Sequence, residues 1–129
     1  MIRVTAGIDN SHYKTELVYE HKTIIVDEPI DMGGKDLGFT PAALLASSLA
    51  SCTAITLRMY ADRKKWDLKE TMIEVAFEKH DDSSDMVMDI KLFGELDQKQ
   101  RERLLEIAHN CPIHKALKNP INISVGLKD

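Results

Sequence analysis

The chain has 129 residues, of which 43% are hydrophobic, and a formal net charge of -4. This length and composition fit a single domain, residues 1–129, with enough apolar side chains for a core. The acidic balance speaks against nucleic acid or an anionic membrane surface as a partner, because both attract basic proteins.

Three short strands are predicted in the first part of the chain. Residues 2–9 and 13–20 form two of them, joined by the turn-rich tetrapeptide 9–12, and Thr23–Val26 forms the third. The glycine-rich stretch from Asp31 to Phe39 is predicted to be a loop. Its glycines match neither the Walker spacing nor the dinucleotide-binding spacing, so we predict no phosphate loop.

The longest predicted element is a helix from Thr40 to Trp66. Thr40 can cap it, and Pro41 suits its first position because the missing N–H has no partner there. At helical spacing, one face carries Leu45, Leu49, Cys52, Thr56 and Met59. We predict a central, largely buried helix. Its length of roughly 40 Å exceeds the needs of a small domain, so we expect contact with a second subunit as well.

The uncharged part of this helix is long enough to cross a membrane. Several polar residues speak against that interpretation, because they are costly in lipid. They are Ser47, Ser48, Ser51, Thr53 and Thr56. We therefore predict no membrane contact. The N-terminus lacks the apolar segment of a signal peptide, and we expect a cytoplasmic protein.

A β-hairpin, two helices and a strand are predicted after Trp66. The hairpin turns at residues 81–84, and alternating apolar residues form its inner face. These are Ile73, Val75, Phe77, Met86, Met88, Ile90 and Leu92. Asp97 and Gln100 have the spacing of a capping box and predict a helix start, and Pro112 opens a short helix ending at Leu117.

Alternating apolar residues also predict a last strand, which contains Ile121, Ile123 and Val125. The predicted order is β-β-β-α-β-β-α-α-β. Strands and helices do not alternate singly, so the expected class is α+β, with mainly antiparallel sheets around the long helix.

The two cysteines, Cys52 and Cys111, are the strongest chemical candidates. In a reducing compartment they are not expected to form a structural disulfide. Cys111 lies where a helix begins, and unpaired N–H groups there favour a thiolate. Cys52 lies in the middle of a helix and needs another group to stabilise its thiolate. Either cysteine alone could be an inert core thiol, but the pair suggests redox chemistry.

A zinc site is an alternative interpretation of the same region. His109, Cys111 and His114 lie within six residues, and Cys52 could be a fourth ligand. Their spacing matches no zinc-finger pattern, and we predict no metal ion and no other cofactor.

Two segments resemble signatures of the OsmC/Ohr family. The first is Thr40–Thr53, in which Pro41 precedes a helical cysteine by eleven positions. The second is His109–Leu117, which resembles the Cys-Pro-x-x-x-Ala stretch of that family. The order of predicted elements agrees with the family over nearly the whole chain.

The resemblance implies an intertwined homodimer with two active sites at the subunit interface. It also implies a thiol-dependent peroxidase that reduces organic hydroperoxides or hydrogen peroxide in oxidative stress defence. By position, Cys52 matches the attacking cysteine and Cys111 the resolving cysteine, and a dithiol would reduce the resulting disulfide.

The chain departs from the family at two places. Better-studied members carry Glu just after the proline, where this chain has Ala42 and Ala43. They also use an Arg near the first strand turn to hold the thiolate. This chain has no Arg in that turn, and the remaining candidates for stabilising the thiolate are His12, Lys14 and Arg3.

These departures leave a second function open. The same fold could be a binding protein whose interface pocket holds an apolar or electrophilic small molecule without turnover. Both cysteines favour the peroxidase, and the missing acidic partner favours the binding protein.

Overall fold

The computed structural model describes residues 1–128, in two compact units, Met1–Leu45 and Ala46–Asp129. Its elements are β1 (Thr5–Gly7), β2 (Thr15–Tyr19), β3 (Lys22–Val26), a short 3-10 turn (Ile30–Met32), α1 (Pro41–Lys64), β4 (Asp67–Lys79), β5 (Ser84–Glu95), α2 (Gln98–Ala108) and α3 (Pro112–Lys118). The predicted α+β class is confirmed, and so is the predicted order as far as α3. The single-domain organisation stays a prediction.

The N-terminal unit contains an antiparallel sheet with strand order β1-β2-β3. The turn between β1 and β2 is stabilised by the Asp9 carboxylate, which accepts a hydrogen bond from the Ser11 amide at 2.8 Å. This local bond lowers the pKa of Asp9. All three strands lie within the predicted ranges or one residue outside them, so the sequence located this sheet correctly.

Asp27 organises the loop that follows β3. Its side chain is buried, and its two oxygens accept hydrogen bonds from four backbone amides, those of Tyr13, Glu28, Lys35 and Leu37. Burial alone would raise the pKa of Asp27, but these donors outweigh it and hold the pKa below its ordinary value. One carboxylate therefore fixes both ends of a glycine-rich loop.

Helix α1 begins and ends with recognisable caps. The Thr40 hydroxyl accepts a hydrogen bond from the Ala43 amide at 3.1 Å, which confirms the predicted N-cap. At the other end, Lys65 has a positive φ of 59°. Its amide donates to the Asp62 carbonyl, and the Trp66 amide donates to the Ala61 carbonyl. These two bonds form a Schellman motif, which ends the helix before β4.

The predicted buried face of α1 is partly wrong. Cys52 and Thr56 are half-buried, while Leu45 and Met59 are exposed, with Met59 at 66%. The buried residues of α1 are Leu49, Thr53, Leu57, Tyr60 and Ala61. Small residues occur on every side of this helix, so its sequence does not single out one apolar stripe. Within one chain α1 is also less buried than predicted.

The C-terminal unit has a core between α1, the hairpin and α2. The core residues are Leu57, Tyr60, Ala61, Leu68, Leu104, Ile107 and Ala108. Strands β4 and β5 pair in the predicted antiparallel hairpin, with Val75 opposite Met88 and Phe77 opposite Met86. The predicted capping box of α2 is also present, because Asp97 and Gln100 exchange side chain-to-backbone hydrogen bonds. This frame holds the N-terminus of α3 beside the middle of α1.

The predicted last strand is not formed. Residues 120–128 have no regular structure, and Ile123 and Val125 are 82% and 94% exposed. A strand needs a neighbour for its backbone N–H and C=O groups, and no described strand of the same chain pairs with this segment. The alternating apolar pattern is real, but within one chain it has nothing to pack against.

Candidate functional site

The two cysteine side chains meet in the C-terminal unit. Cys52 lies in α1, and Cys111 is the residue just before α3. Both are free thiols, and they are close enough for each side chain to shift the pKa of the other. Their formation of a disulfide stays a prediction.

Cys111 is surrounded by hydrogen-bond donors. It is fully buried, and its sulfur caps α3 by accepting the His114 amide at 3.4 Å. Burial by itself raises the pKa of the Cys111 thiol. The neighbouring Cys52 side chain and the amides of His114 and Ile113 outweigh burial and lower the pKa. The buried Thr53 hydroxyl lies nearby but has no hydrogen-bond partner within residues 1–128.

At Cys52, the effects that raise the pKa of the thiol are stronger than those that lower it. Burial raises the pKa of its thiol, and the hydrogen bond that it donates to Cys111 raises the pKa further. The Ile113 amide and the Thr56 hydroxyl oppose these effects, but the pKa stays above its ordinary value. The pKa shifts of the two thiols therefore have opposite directions. This agrees with the sequence argument that only Cys111 has help from a helix N-terminus.

His114 is a second unusual group beside Cys111. Its Nδ1 atom is buried without a hydrogen-bond partner in the described chain. Burial lowers the pKa of His114, and the nearby charges of His109 and Lys118 lower it further. The His109 and His114 rings lie 5.5 Å apart, and His109 bonds through Nδ1 to the Leu105 carbonyl at 3.0 Å. A neutral imidazole therefore lies next to the thiol pair.

The residues proposed above as an alternative zinc site do not form one here. In the part of the chain that the structure describes, no three His, Cys, Asp or Glu side chains are arranged to hold a metal ion.

The three predicted thiolate-stabilising residues lie in the N-terminal unit. Arg3 precedes β1, and His12 and Lys14 lie between β1 and β2. All three side chains are exposed. The His12 ring lies 5.0 Å from the Tyr13 ring, and Lys14 interacts with the Asp9 carboxylate. Their contribution to the thiolate stays a prediction.

The sequence argument missed the hydroxyl groups of this site. Thr53 follows Cys52 directly, and Thr56 lies four positions later, one helical turn away. A residue four positions along a helix shares a face with the first, so Thr56 could have been identified beside Cys52. Thr53 could not, because its role depends on where α3 lies.

The chain has relatives among known families and solved structures. Residues 33–126 match the OsmC-like protein family. A Psychrobacter arcticus protein described as osmotic stress induced and detoxification response is 29% identical, with a TM-score of 0.74 over 89% of this chain and 85% of that chain. No curated protein sequence matches the chain.

Two further structures share the fold at lower identity. An OsmC-like protein from Mycoplasma pneumoniae has a TM-score of 0.78 at 18% identity, over 92% of this chain and 87% of that chain. An organic hydroperoxide resistance protein from Legionella pneumophila has a TM-score of 0.67 at 21% identity, over 92% and 89%. The family match covers most of the chain, and the structures reproduce its fold. The protein therefore belongs to the OsmC-like family.

Proposed function

We propose that this protein is a thiol peroxidase that reduces organic hydroperoxides or hydrogen peroxide through Cys52 and Cys111. The observation that carries the proposal is the contact between the two thiols, one half-buried and one fully buried. On this proposal, the peroxide meets the more exposed of the two cysteines, and the second cysteine resolves the product.

The reaction has two chemical steps. A lone pair of the Cys52 sulfur attacks the distal peroxide oxygen, and the O–O bond breaks. The other oxygen leaves and takes a proton as an alcohol or as water, and Cys52 becomes a sulfenic acid. Cys111 then attacks the Cys52 sulfur, the hydroxyl leaves as water after protonation, and a disulfide forms. A dithiol reductant returns both cysteines to their starting state by exchange.

The descriptions of two related solved structures give further support to the peroxidase proposal. The Legionella pneumophila relative is an organic hydroperoxide resistance protein, and the Psychrobacter arcticus relative is described as an osmotic stress induced and detoxification response protein. Peroxide removal in a cytoplasmic stress response is consistent with both descriptions. No metal ion or organic cofactor is required, since sulfur supplies both electrons.

We propose that the active form is a homodimer. Apolar residues exposed in one chain include Ile55 and Met59 on α1 and Ile123 and Val125 in the C-terminal segment. A second copy could cover these surfaces and give the C-terminal segment a strand to pair with. Light scattering at micromolar concentration should give the mass of a dimer, and a stable folded monomer would contradict this.

The peroxidase proposal can be tested by following thiol loss in a stopped-flow instrument. The reduced protein is mixed with cumene hydroperoxide or hydrogen peroxide, and mass spectrometry identifies the oxidised residue. Cys52→Ser should abolish sulfenic acid formation. Cys111→Ser should let the sulfenic acid accumulate, because nothing resolves it. If neither cysteine oxidises faster than a free thiol, the protein is not a peroxidase.

A binding protein is the second candidate, and two observations favour it. Ala42 and Ala43 stand where better-studied members of the family carry Glu, and the pKa of the Cys52 thiol is raised. On this alternative, a pocket at the subunit interface holds an apolar or electrophilic small molecule without turnover. Saturable binding of such a molecule by a protein whose thiols do not react with peroxide would support it.

A further inference from the structure

We propose that an exposed positive surface around Tyr60 is the docking site for the acidic face of a dithiol protein, which reduces the disulfide of the proposed cycle. The role of this partner rests on the proposed peroxidase function, which needs a dithiol to complete each turnover. The surface, which we call the Tyr60 cation cluster, consists of Arg63 and Lys64 at the end of α1 and Arg103 on α2.

Three positive side chains converge on the ring of one buried tyrosine. The charged groups of Arg63, Lys64 and Arg103 lie 5.6, 5.7 and 5.7 Å from the centre of the Tyr60 ring. The face of an aromatic ring attracts cations, but charges gathered in so small an area also repel one another. Neither Arg63 nor Lys64 has an acidic partner within residues 1–128. The cluster therefore carries positive charge that an external anionic group can neutralise.

Arg103 is the fixed member of the cluster. Its Nε atom donates to the Tyr60 hydroxyl at 3.0 Å, and its Nη1 atom donates to the Glu106 carboxylate at 2.8 Å. In the described part of the chain, its Nη2 atom donates to no acceptor. An arginine held in this way loses little side-chain freedom when it binds a carboxylate, so this part of the surface is preorganised.

The end of a helix explains only part of this arrangement. Arg63 and Lys64 lie in the last turn of α1, where positive side chains interact favourably with the helix dipole. Arg103 belongs to a different helix, and Glu106 neutralises only one of the three charges. The whole chain has a formal net charge of -4, so the cluster is a positive area on an acidic protein.

The shape and charge of the surface favour an acidic protein over other anions. Small-molecule sites are concave, whereas Arg63, Lys64 and Arg103 are all exposed. A nucleic acid would meet three positive side chains on a chain whose net charge repels it. A carboxylate-rich protein surface needs only local complementarity, which the cluster provides.

The cluster lies on the helix that carries the more exposed cysteine. Tyr60 follows Cys52 by eight residues in α1, which corresponds to roughly 12 Å along the helix axis. At about 100° per residue, Tyr60 and Lys64 lie on one side of Cys52, and Ile55 and Met59 lie on the other. A second copy that covers Ile55 and Met59 can therefore leave the cluster accessible. A protein interface of ordinary size, roughly 30 Å across, spans both the cluster and Cys52.

The exchange that this docking serves balances in atoms and electrons. One thiolate of the partner attacks the Cys52 sulfur, the bond to the Cys111 sulfur breaks, and a mixed disulfide forms. The second thiolate of the partner then attacks the partner's sulfur in the mixed disulfide and releases Cys52. Two electrons and, through water, two protons pass from the dithiol to the cysteine pair, and the partner becomes a disulfide.

Trp66 provides a measure of docking that involves no redox chemistry. It is the only tryptophan of the chain, and its ring lies 5.5 Å from the ring of Tyr60. When an octaglutamate peptide is added to the reduced protein at low salt, we expect a saturable change in Trp66 fluorescence that added salt reverses. The double variant Arg63→Gln and Lys64→Gln should lose this change. Unchanged binding by the double variant, or equally tight binding of a single-stranded oligonucleotide of the same charge, would overturn the proposal.

Reduction kinetics test the role of the partner. The disulfide is formed with diamide, so the assay does not depend on reactivity with peroxide. Two peptides with a central Cys-Gly-Pro-Cys dithiol are compared as reductants, one flanked by glutamates and the other by glutamines. We expect the ratio of their rates to fall by about tenfold in the double variant and also at high salt, because favourable charge raises association rates by at least that factor. The ratio cancels effects of the variant on the disulfide itself.

Two controls separate docking from general effects of charge and folding. Lys79→Gln with Lys91→Gln removes the same charge from exposed positions on the hairpin and should keep the wild-type ratio. Dithiothreitol, which is neutral, should reduce all three proteins at the same rate. An unchanged ratio in the cluster variant, an equal loss in the hairpin variant, or no disulfide after diamide would overturn the proposal. If peroxide does not oxidise the thiols, the proposed function fails, whereas the diamide assay still decides whether the cluster recruits an acidic dithiol.

Discussion

Replacing Asp27 by Asn should destabilise the protein although the two side chains have nearly the same shape. In the wild type, one carboxylate oxygen accepts the amides of Tyr13 and Glu28, and the other accepts those of Lys35 and Leu37, at 2.8 to 3.2 Å. Asparagine has one oxygen and one NH2 group. Whichever way its amide turns, two backbone N–H groups face another donor and lose their partner.

The size of this effect follows from the two N–H groups left without an acceptor. Each buried group without a partner costs about 1–3 kcal/mol. The hydrogen bonds at Asp27 are partly buried, so we use the lower part of that range and expect a loss of about 2–4 kcal/mol. Urea unfolding at fixed protein concentration measures this loss in the free energy of unfolding. Amide hydrogen exchange shows which backbone N–H groups have lost their partner. The Lys35 and Leu37 amides, or those of Tyr13 and Glu28, should exchange faster than in the wild type.

Asp31→Asn is the matched control for this prediction. Asp31 lies in the same loop, in the turn Ile30–Met32, and its side chain is exposed. The same chemical change there should alter stability by less than about 0.5 kcal/mol. If Asp27→Asn costs no more than this control, the four hydrogen bonds do not hold the loop, and the argument from the carboxylate is wrong.

The Asp27 prediction also has a pH dependence of known sign. The folded pKa of Asp27 lies below the unfolded value of about 3.9, so its stabilisation is fully present above that value. It is lost as pH falls through the folded pKa. The difference in unfolding free energy between the wild type and Asp27→Asn should therefore be constant from neutral pH to about pH 5, and shrink below about pH 4.

Three further predictions concern the C-terminal unit. Leu104 is fully buried in the core, so Leu104→Ala should lower the urea unfolding free energy by about 2–5 kcal/mol, and a loss below 1 kcal/mol would contradict the described packing. Asp97→Ala removes the N-cap of α2 and should lower the free energy of unfolding, measured by thermal unfolding, by about 1 kcal/mol. Asn can also cap a helix, so Asp97→Asn should keep most of this stability. His114 should titrate by NMR below about pH 6.5, so its contribution to stability falls as pH is lowered through that region; a titration above pH 6.5 would contradict its burial.

Elements specified by local signals were predictable from the sequence. The capping box of Asp97 and Gln100 lies within four residues, and the N-cap Thr40 is next to the helix that it caps. The hairpin follows from the two-residue period of its own strands, so its register pairs the predicted inner residues. Each of these signals acts over short distances in the chain and needs no knowledge of the rest of the fold.

Features that depend on distant packing were not predictable in the same way. Helix α1 turns Thr53 and Leu57 inward, and not Met59, because of where the hairpin and α2 lie. Likewise, the alternation of Ile121, Ile123 and Val125 predicts a strand, but alternation does not say which strand provides the partner. A pattern in sequence indicates the conformation that a segment prefers, and the contacts decide whether it is adopted.

The composition of α1 fits either a helix that crosses a membrane or a helix that packs within the protein. In the described residues, this one helix is long and apolar enough to cross a membrane. The same residues form the 24-residue helix α1 of a chain whose residues 33–126 match the OsmC-like protein family. Small side chains allow neighbouring backbone to approach α1 closely. Such packing accounts for the uncharged stretch of the helix without a surrounding membrane.

The surroundings of the two thiols are the feature furthest from the sequence. Motif positions assign attack to Cys52 and resolution to Cys111, but they say nothing about the groups that lie beside each sulfur. Thr56 lies one turn from Cys52 on α1, whereas the His114 amide that contacts the Cys111 sulfur belongs to α3. Cys111 is fully buried and Cys52 is half-buried, so a small molecule reaches Cys52 more easily. Spacing in the sequence thus indicates which residues take part, and the packing of α1 against α3 decides what surrounds them.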